Sequence, residues 1–348
     1  MRYVVADNIE FYKPTLRRKD MQSVIQTMVD ERIGPGVRKK EFLDILKTRL
    51  NMAGGIALRS YFDAITSSLQ LLDVREGSVI ITSVLAPKIY KVAARKLGAK
   101  LMLCDINKDT GCLSPQSALE AVGKGGEVVL LNEPACQIPY GDDFSALGIP
   151  IIEDISQSLG SAYGDSFAGS FGDVVICAFE QEHIVSCGGG AIILYKNKVY
   201  KDPLRALYKD ILRYEEMPDM NAALGIIQLA EFDKYLLRRR ELFDMFKKAL
   251  LKTGHKLFGI TDLDFDPNAW IFPVVLDSKP EDVIAFSKKY HVICKPLFDD
   301  VVVSDAKDKF ALYPGATSSL LRGVAFPIYP YLKSSDIDTL VKVISHLP

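Results

Sequence analysis

The amino-acid sequence predicts an α/β protein with a doubly wound, mostly parallel sheet and a smaller C-terminal α+β domain. Short apolar runs alternate with segments of helical apolar spacing, a pattern typical of a parallel sheet with helices on both faces. From about Leu242 the pattern changes to a mixture of strands and helices. The 348 residues, 48% of them hydrophobic, suffice for two cores. We therefore predict a large domain over residues 1–240 and a small domain over residues 241–348.

The first 50 residues are predicted to form an arm and two helices, all within the large domain. Apolar residues recur at helical spacing over Asp20–Met28 and again over Lys39–Leu50. Gly34-Pro35-Gly36 separates the two segments, because glycine and proline interrupt a helix.

The alternating part of the chain follows this arm. Its predicted strands are Ile56–Leu58, Ser78–Val84, Lys100–Cys104, Glu127–Leu131, Ile149–Ile152 and Val174–Phe179. Its predicted helices are Ser60–Leu72, Pro87–Leu97 and one that begins at Ser114-Pro115. Ser60 and Asp63 have the spacing of a capping box, and Pro115 suits the first turn of a helix. Burial in a core explains nearly all of the apolar residues in these segments.

Six further elements are predicted in the rest of the chain from their apolar periodicity. In order, they are the helices Pro203–Ile211 and Asn221–Leu237, the strand Trp270–Leu276, the helix Glu281–Tyr290, the strand His291–Cys294 and the helix Ser334–His346. The last four make up the predicted α+β domain.

Composition and charge argue against several classes of protein. A net charge of −1 provides no general attraction for nucleic acid or for an anionic membrane surface. No apolar run approaches the roughly 18 residues that a membrane span requires, and the start of the chain lacks a secretory signal pattern. The six cysteines have no metal-ligand spacing, so we expect reduced, buried thiols and no metal site. These observations predict a cytoplasmic protein.

The stretch from Ile151 to Ala191 concentrates polar residues at predicted strand ends. Glu153, Asp154 and Gln157 follow the apolar run that ends at Ile152. The carboxyl ends of strands are where open α/β sheets bind ligands. His183 comes four residues after the next apolar run and shortly before a triplet of glycines. An acid, an amide and an imidazole beside flexible backbone predict a functional site.

The same stretch carries a family resemblance. Its blocks are Ile152-Glu153-Asp154-Ile155-Ser156-Gln157, Gly169-Ser170-Phe171-Gly172-Asp173, Cys177-Ala178-Phe179 and Gly188-Gly189-Gly190-Ala191. They resemble the patterns I-E-D-A-A-Q, G-S-F-G-D, F-S-F and G-E-G-G of the DegT/DnrJ/StrS-type sugar aminotransferases. The resemblance continues over Met220–Leu229 and covers nearly the whole chain. It implies a fold-type I pyridoxal phosphate (PLP) transferase fold, a homodimer, and a function related to nucleotide-sugar or polysaccharide biosynthesis.

The resemblance also implies roles for individual residues. It places Asp154 on the pyridine nitrogen of PLP and Gln157 on the ring hydroxyl. It places Arg59 and Ser60 in the phosphate cup, and His183 at the position of the Schiff-base lysine. The alternative is structural: Asp154 caps the following turn, Gln157 is solvated, and His183 is a hydrogen-bonded loop residue.

This chain departs from the family pattern at several of these positions. Imidazole is not a primary amine, and no lysine lies between Asp154 and Tyr195, so covalent resting PLP is not expected. Tyr61 stands where the phosphate cup has glycine, Ala86 stands where many relatives have a stacking aromatic residue, and Gly189 stands where the G-E-G-G turn has glutamate. We therefore expect ordinary transamination to be lost and PLP or pyridoxamine phosphate (PMP), if bound, to be noncovalent.

Two functional classes remain open at this stage. The first resembles the PMP-dependent 3-deoxysugar dehydratases, in which a histidine replaces the lysine, and His183 would act as the base. The second is a binding or regulatory module that keeps the scaffold without the chemistry. A nucleotide-linked sugar or another small anion is the partner predicted for the cleft.

Overall fold

The computed structural model describes residues 8–141 and 143–348. Its strands are β1 (Gly54–Leu58), β2 (Val79–Ser83), β3 (Lys100–Cys104), β4 (Val128–Asn132), β5 (Ile151–Asp154), β6 (Ala162–Tyr163), β7 (Ser166–Phe167), β8 (Val174–Ala178), β9 (Ala191–Tyr195), β10 (Lys256–Leu257), β11 (Phe265–Asp266), β12 (Ile271–Val275), β13 (Lys295–Pro296) and β14 (Gly323–Pro327). Its α-helices are α1 (Arg18–Val29), α2 (Val37–Arg49), α3 (Tyr61–Leu71), α4 (Ile89–Lys96), α5 (Pro115–Gly123), α6 (Lys201–Leu207), α7 (Leu212–Glu215), α8 (Asp219–Ala230), α9 (Phe232–Leu250), α10 (Pro280–Lys289), α11 (Thr317–Arg322) and α12 (Ser334–Ile344).

Seven strands form the central sheet, in the order β1-β9-β8-β5-β4-β2-β3. β9 is antiparallel to both of its neighbours, and the remaining pairs are parallel. Alternate residues of β8 belong to different cores: Ile176 packs on one face of the sheet, and Val175 and Cys177 pack on the other. Because successive side chains of a strand point to opposite faces, both faces of the sheet are covered. The predicted mostly parallel, doubly wound sheet is confirmed.

The C-terminal part contains an antiparallel sheet in the order β10-β12-β14-β13. Phe272 of β12 makes edge-on ring contacts with Phe243 and Phe246 of α9. Helix α12 adds Leu340 and Val343 to the same core. Because α9 runs across residues 240 and 241 without a break, the proposed domain division at that point stays a prediction.

Three predicted elements differ from the structure. The predicted helix Pro203–Ile211 ends earlier, because α6 covers Lys201–Leu207 and residues 208–211 form a turn. The predicted helix Asn221–Leu237 is two helices, because α8 ends at Ala230 and α9 begins at Phe232. Glu231 lies at the junction, where its carboxylate forms an ion pair with the Arg17 guanidinium of the N-terminal arm at 2.8 Å. No proline or glycine marks this junction, so apolar periodicity alone does not reveal it.

The predicted strand His291–Cys294 is also wrong. His291 has a φ of +58° directly after α10, and that left-handed turn is incompatible with extended backbone. The strand β13 begins at Lys295 instead. Between them, Val292 forms a single bridge with Ile9 of the N-terminal arm. The backbone amide of Ile9 donates to the His291 carbonyl at 2.8 Å, and this contact holds the arm against the C-terminal part.

The described residues contain no helix long and apolar enough to cross a membrane. Within the same residues, no group of three or more His, Cys, Asp or Glu side chains is arranged to hold a metal ion.

Candidate functional site

A cavity of about 620 Å³ lies at the carboxyl edge of the central sheet. Leu85 follows β2, Asn132 ends β4, Asp154 ends β5 and Glu180 follows β8, and all four line the cavity. The opposite wall comes from Trp270 and Ile271, the segment 295–301 and Phe11 and Tyr12 of the arm. The site is therefore enclosed by three parts of the chain that are distant in sequence.

Asp154 is 3% exposed, and both of its carboxylate oxygens already have partners. Its Oδ2 accepts from the hydroxyl groups of Tyr61 and Tyr90, the latter at 2.6 Å. Its Oδ1 accepts from the Ser156 backbone amide at 3.0 Å and from the Ser156 hydroxyl at 2.5 Å. Four donors from the same chain thus satisfy this carboxylate.

The two tyrosines remain neutral donors. Burial raises the pKa of Tyr61 and of Tyr90 well above the ordinary phenol value, and the Asp154 charge raises both further. Tyr61 begins α3, and Tyr90 lies in the first turn of α4. The two helices therefore each send one hydroxyl to the same carboxylate oxygen.

Gln157 also serves the fold. Its Oε1 accepts from the Ala135 backbone amide at 3.0 Å, while its own carbonyl accepts from the Asn268 side chain at 3.1 Å. Ala135 has a φ of +52°, so this bond supports a left-handed turn that costs free energy for a residue with a β-carbon. Gln157 lines the cavity, and its amide oxygen is engaged by the backbone.

Arg59 and Ser60 lie outside the cavity lining. Ser60 caps α3, because its hydroxyl accepts from the Asp63 backbone amide at 3.3 Å, as the capping pattern predicts. Arg59 is exposed, and its backbone amide donates to the Glu215 carbonyl at 2.8 Å. Of the segment that the resemblance aligns with the phosphate cup, Tyr61 lines the cavity, and Arg59 and Ser60 do not.

His183 is a neutral imidazole with a defined tautomer. Its Nδ1 accepts from the Glu180 backbone amide at 3.1 Å, which requires the ring proton to be on Nε2. Burial lowers the pKa of His183, and the charges of Glu182 and Asp154 offset only part of that effect. The remaining ring nitrogen is therefore an N–H donor. The Trp270 ring lies 6.1 Å away, centroid to centroid, and its indole N–H donates to the Glu182 carbonyl at 2.5 Å.

The glycine turn after His183 has a carboxylate beside it. Gly189 has a φ of +126°, a conformation that favours glycine. A β-carbon at Gly189 would lie 3.6 Å from Oε2 of Glu180. The resemblance places a glutamate at this position. Glu180, in the same loop between β8 and β9, supplies a carboxylate close to where the side chain of that glutamate would begin.

Two neighbouring carboxyl groups belong to Glu133, which lines the cavity, and Glu153. Glu153 accepts from the backbone amides of Gly169 at 2.5 Å, Phe171 at 2.8 Å and Gly172 at 2.7 Å. Glu133 is 1% exposed and accepts from the Ser158 hydroxyl. Burial raises the pKa of Glu133 well above its ordinary value, and the Glu153 charge and hydrogen bond raise it further. The folded chain therefore keeps the Glu133 proton to a higher pH than the unfolded chain does.

This protonation predicts that stability falls as pH rises. In the unfolded chain a glutamate ionises near its ordinary pKa of about 4.3. Above that pH the folded state keeps a proton that the unfolded state has lost. The free energy of unfolding should therefore fall by up to about 1.4 kcal/mol per pH unit until Glu133 ionises in the folded state.

Glu133→Gln should remove this pH dependence, because glutamine has no titratable proton and its amide oxygen can still accept from the Ser158 hydroxyl. Urea unfolding between pH 5 and pH 8 should show that the free energy of unfolding of the variant increases relative to that of the wild type as pH rises. Glu281→Gln, on the exposed first turn of α10, is the control and should keep the wild-type slope. Parallel slopes for wild type and Glu133→Gln would contradict the protonated state.

The fold, with its cavity at the carboxyl edge of the central sheet, is that of the fold-type I PLP-dependent aminotransferases. The aminotransferase TlmJ from Streptoalloteichus hindustanus aligns over 97% of both chains with a TM-score of 0.86 and 18% sequence identity. Spr1654 from Streptococcus pneumoniae, in its PMP form, gives the same TM-score and coverage at 17% identity. Similarity at these identities establishes the fold and leaves the activity open.

The chain belongs to the DegT/DnrJ/EryC1/StrS aminotransferase family, whose model matches residues 14–345. EpsN from Bacillus subtilis (strain 168) is 24% identical over an alignment of 358 residues, gaps included. That alignment covers 90% of this chain and 88% of EpsN. GDP-perosamine synthase from Escherichia coli O157:H7 is 21% identical over an alignment of 295 residues. That alignment covers 79% of this chain and 80% of the synthase. The predicted family and fold class are confirmed.

The residues present do not fit PLP in the family manner. An aminotransferase needs a carboxylate free to accept the N–H of the pyridine ring and so keep that nitrogen protonated, a primary amine and a phosphate cup. Here Asp154 is satisfied by Tyr61, Tyr90 and Ser156. The predicted phosphate ligands Arg59 and Ser60 do not line the cavity. No reaction step is therefore assigned to the cofactor.

The structure brings Asp154, Gln157 and His183 together around one cavity. The residues that sequence reasoning had not assigned to the site include Asn132, Glu180 and Trp270, which line the cavity, and Tyr90, which donates to Asp154. Asn132 directly follows the apolar run Val128–Leu131, so the rule that selected Asp154 also applies to it. Tyr90 carries no such signal, because it lies within a helix of ordinary apolar spacing.

Proposed function

We propose that this sugar-aminotransferase-like protein does not carry out ordinary transamination and that its cleft is a noncovalent binding site. One observation carries the proposal: both oxygens of Asp154 are engaged by Tyr61, Tyr90 and Ser156 of the same chain. To reach Asp154, the pyridine nitrogen of PLP would have to displace the hydroxyl groups of Tyr61 and Tyr90. Each would then lose a hydrogen bond to a charged group, worth about 1.5–3 kcal/mol.

His183 supports the same proposal. An imidazole cannot condense with an aldehyde to form the resting Schiff base. The neutral ring also presents Nε2–H to its surroundings, since Nδ1 accepts from the Glu180 amide. A general base needs a free lone pair, so this tautomer argues against the dehydratase-like alternative. His183 is better suited to donate a hydrogen bond to a ligand.

The start of α3 provides further support. Anion sites at helix N-termini depend on close approach to free backbone amides. Tyr61 fills the first position of α3, and the Ser60 hydroxyl accepts the Asp63 amide. Asp63 adds a carboxylate to the same first turn, where its charge opposes that of a phosphate.

The test is to add PLP to the purified chain, record the absorbance spectrum, reduce with borohydride and map modified peptides by mass spectrometry. We expect no stable adduct in the cleft and no half-reaction with an amino donor, because the site lacks a suitably placed amine. Lys295 is the lysine to inspect, since it lines the cavity. A reduced adduct on Lys295 or turnover of a donor would overturn the proposal.

His183→Lys is the matched variant. It supplies a primary amine while Tyr61 and Tyr90 still occupy Asp154, so we expect it to remain inactive in transamination. Full activity in this variant would mean that the amine is the sole missing part and that the tyrosines do not block the cleft.

The cytoplasmic location and the homodimer remain predictions.

A further inference from the structure

The charged groups that line the cavity are mostly acidic. Glu180 and Glu182 follow β8, and Asp299 and Asp300 follow β13. None of these four forms an ion pair with another residue of the described chain. The basic residues in the described lining are Lys295, which lies over the Phe11 ring at 5.0 Å, and the neutral His183. The cavity therefore carries an excess of negative charge.

The Glu180 carboxylate shows the effect of this excess. Burial raises the pKa of Glu180, and the nearby Glu182 charge raises it further. No cation from the described residues offsets either effect.

Asn132 is an independent sign of a missing ligand. It lines the cavity and is 4% exposed. Its Nδ2 donates to the Leu85 carbonyl at 3.4 Å, but its Oδ1 accepts no hydrogen bond from the described residues. A buried acceptor without a donor is unfavourable, and such groups are normally satisfied. A ligand that donates hydrogen bonds would complete it.

Aromatic residues occupy much of the remaining wall. Phe11, Tyr12, Trp270 and Phe298 all line the cavity. Aromatic ring faces attract organic cations, most strongly where water is excluded. Uncompensated carboxylates, an unfilled acceptor and aromatic walls together match the chemistry of a protonated amine.

We infer that the cavity binds a small organic cation with a protonated aliphatic amine, recognised by Glu180, Glu182 and Asn132. This inference rests on the proposed function, because it requires a cleft free of covalent cofactor. It also differs from the anionic partner expected from sequence, since a phosphate or nucleotide would meet the same carboxylates with the wrong sign of charge. An amino sugar and an aliphatic polyamine both have the required chemistry.

The experiment is isothermal titration of the full chain, without PLP, at pH 7. The cationic probes are glucosamine and spermidine; N-acetylglucosamine is the neutral match, and UDP-N-acetylglucosamine is the anionic one. We expect an amine to bind at least about tenfold more tightly than either of the last two, because electrostatic complementarity favours it. Tighter binding of glucosamine would assign an amino sugar, and tighter binding of spermidine would assign a polyamine.

Variants separate this site from general attraction to an acidic surface. Glu180→Gln/Glu182→Gln should weaken binding of the preferred amine about tenfold or more, with circular dichroism confirming the fold. Glu120→Gln/Glu281→Gln removes the same charge from α5 and α10, outside the cavity, and should leave affinity unchanged. Equal affinities for glucosamine, spermidine and N-acetylglucosamine, or equal loss in both double variants, would overturn the inference.

These results are distinguishable from failure of the proposed function. A borohydride-trapped adduct or transamination would reject the proposed function whatever the titration shows. Absence of both, combined with no preference for an amine, would reject the inference alone.

Discussion

Asp154→Ala is expected to lower the free energy of unfolding by about 3–5 kcal/mol, even in protein free of any ligand. The change removes the acceptor of two buried phenol hydroxyls, those of Tyr61 and Tyr90, and of the Ser156 hydroxyl. Tyr90 is 0% exposed and Ser156 is 5% exposed, so these hydroxyl groups would be left unsatisfied. Urea unfolding of the purified chain measures the effect directly.

Two matched variants identify the cause. Asp154→Asn keeps an acceptor of the same shape and should cost about 1–2 kcal/mol, as expected for exchanging a charged for a neutral hydrogen bond. In a Tyr61→Phe/Tyr90→Phe background, Asp154→Ala should cost clearly less than in the wild type, because the stranded hydroxyls are gone. A loss under about 1 kcal/mol for Asp154→Ala in the wild type would mean that the carboxylate is held in reserve for a ligand.

Glu153→Ala should destabilise the chain by a similar amount, about 3–5 kcal/mol. Its carboxylate accepts from three backbone amides, those of Gly169, Phe171 and Gly172. Loss of these bonds would release the loop between β7 and β8. Thermal and urea unfolding should agree on the size of the change.

Glu153→Gln is the conservative control. The amide oxygen of glutamine can still accept hydrogen bonds from some of these backbone amides, whereas its amide nitrogen would face other backbone N–H donors. We therefore expect an intermediate loss of about 1–3 kcal/mol in the free energy of unfolding. Glu281→Ala, on the exposed start of α10, should change stability by less than about 0.5 kcal/mol. If Glu153→Ala behaved like Glu281→Ala, the backbone bonds seen here would not contribute to stability.

Periodicity predicted most elements because burial imposes it. β3 was predicted with its observed ends, and Ser60 and Ser114 cap the helices that the sequence assigned to them. The predictions failed where a distant contact decides the outcome. Glu231 separates α8 from α9 while pairing with Arg17, more than 200 residues earlier in the chain.

The family motif likewise identified part of the site. Asp154, Gln157 and His183 do line one cavity, because parallel strands end at the same edge of a sheet. The motif could not show how these side chains are used, since a hydrogen bond has no periodicity in sequence. Gln157 supports the turn at Ala135, and the partners of Asp154 come from α3 and α4.

The order of residues by itself determined the family, the fold class and the edge of the sheet at which polar groups collect. These properties follow from local apolar spacing and from a motif contiguous in the chain. Only the tertiary structure decided that Asp154 is satisfied by Tyr61 and Tyr90, that His183 is a neutral donor, and that the cavity is acidic. Hydrogen-bond occupancy, tautomer and local charge depend on which distant segments meet, and that is settled by packing.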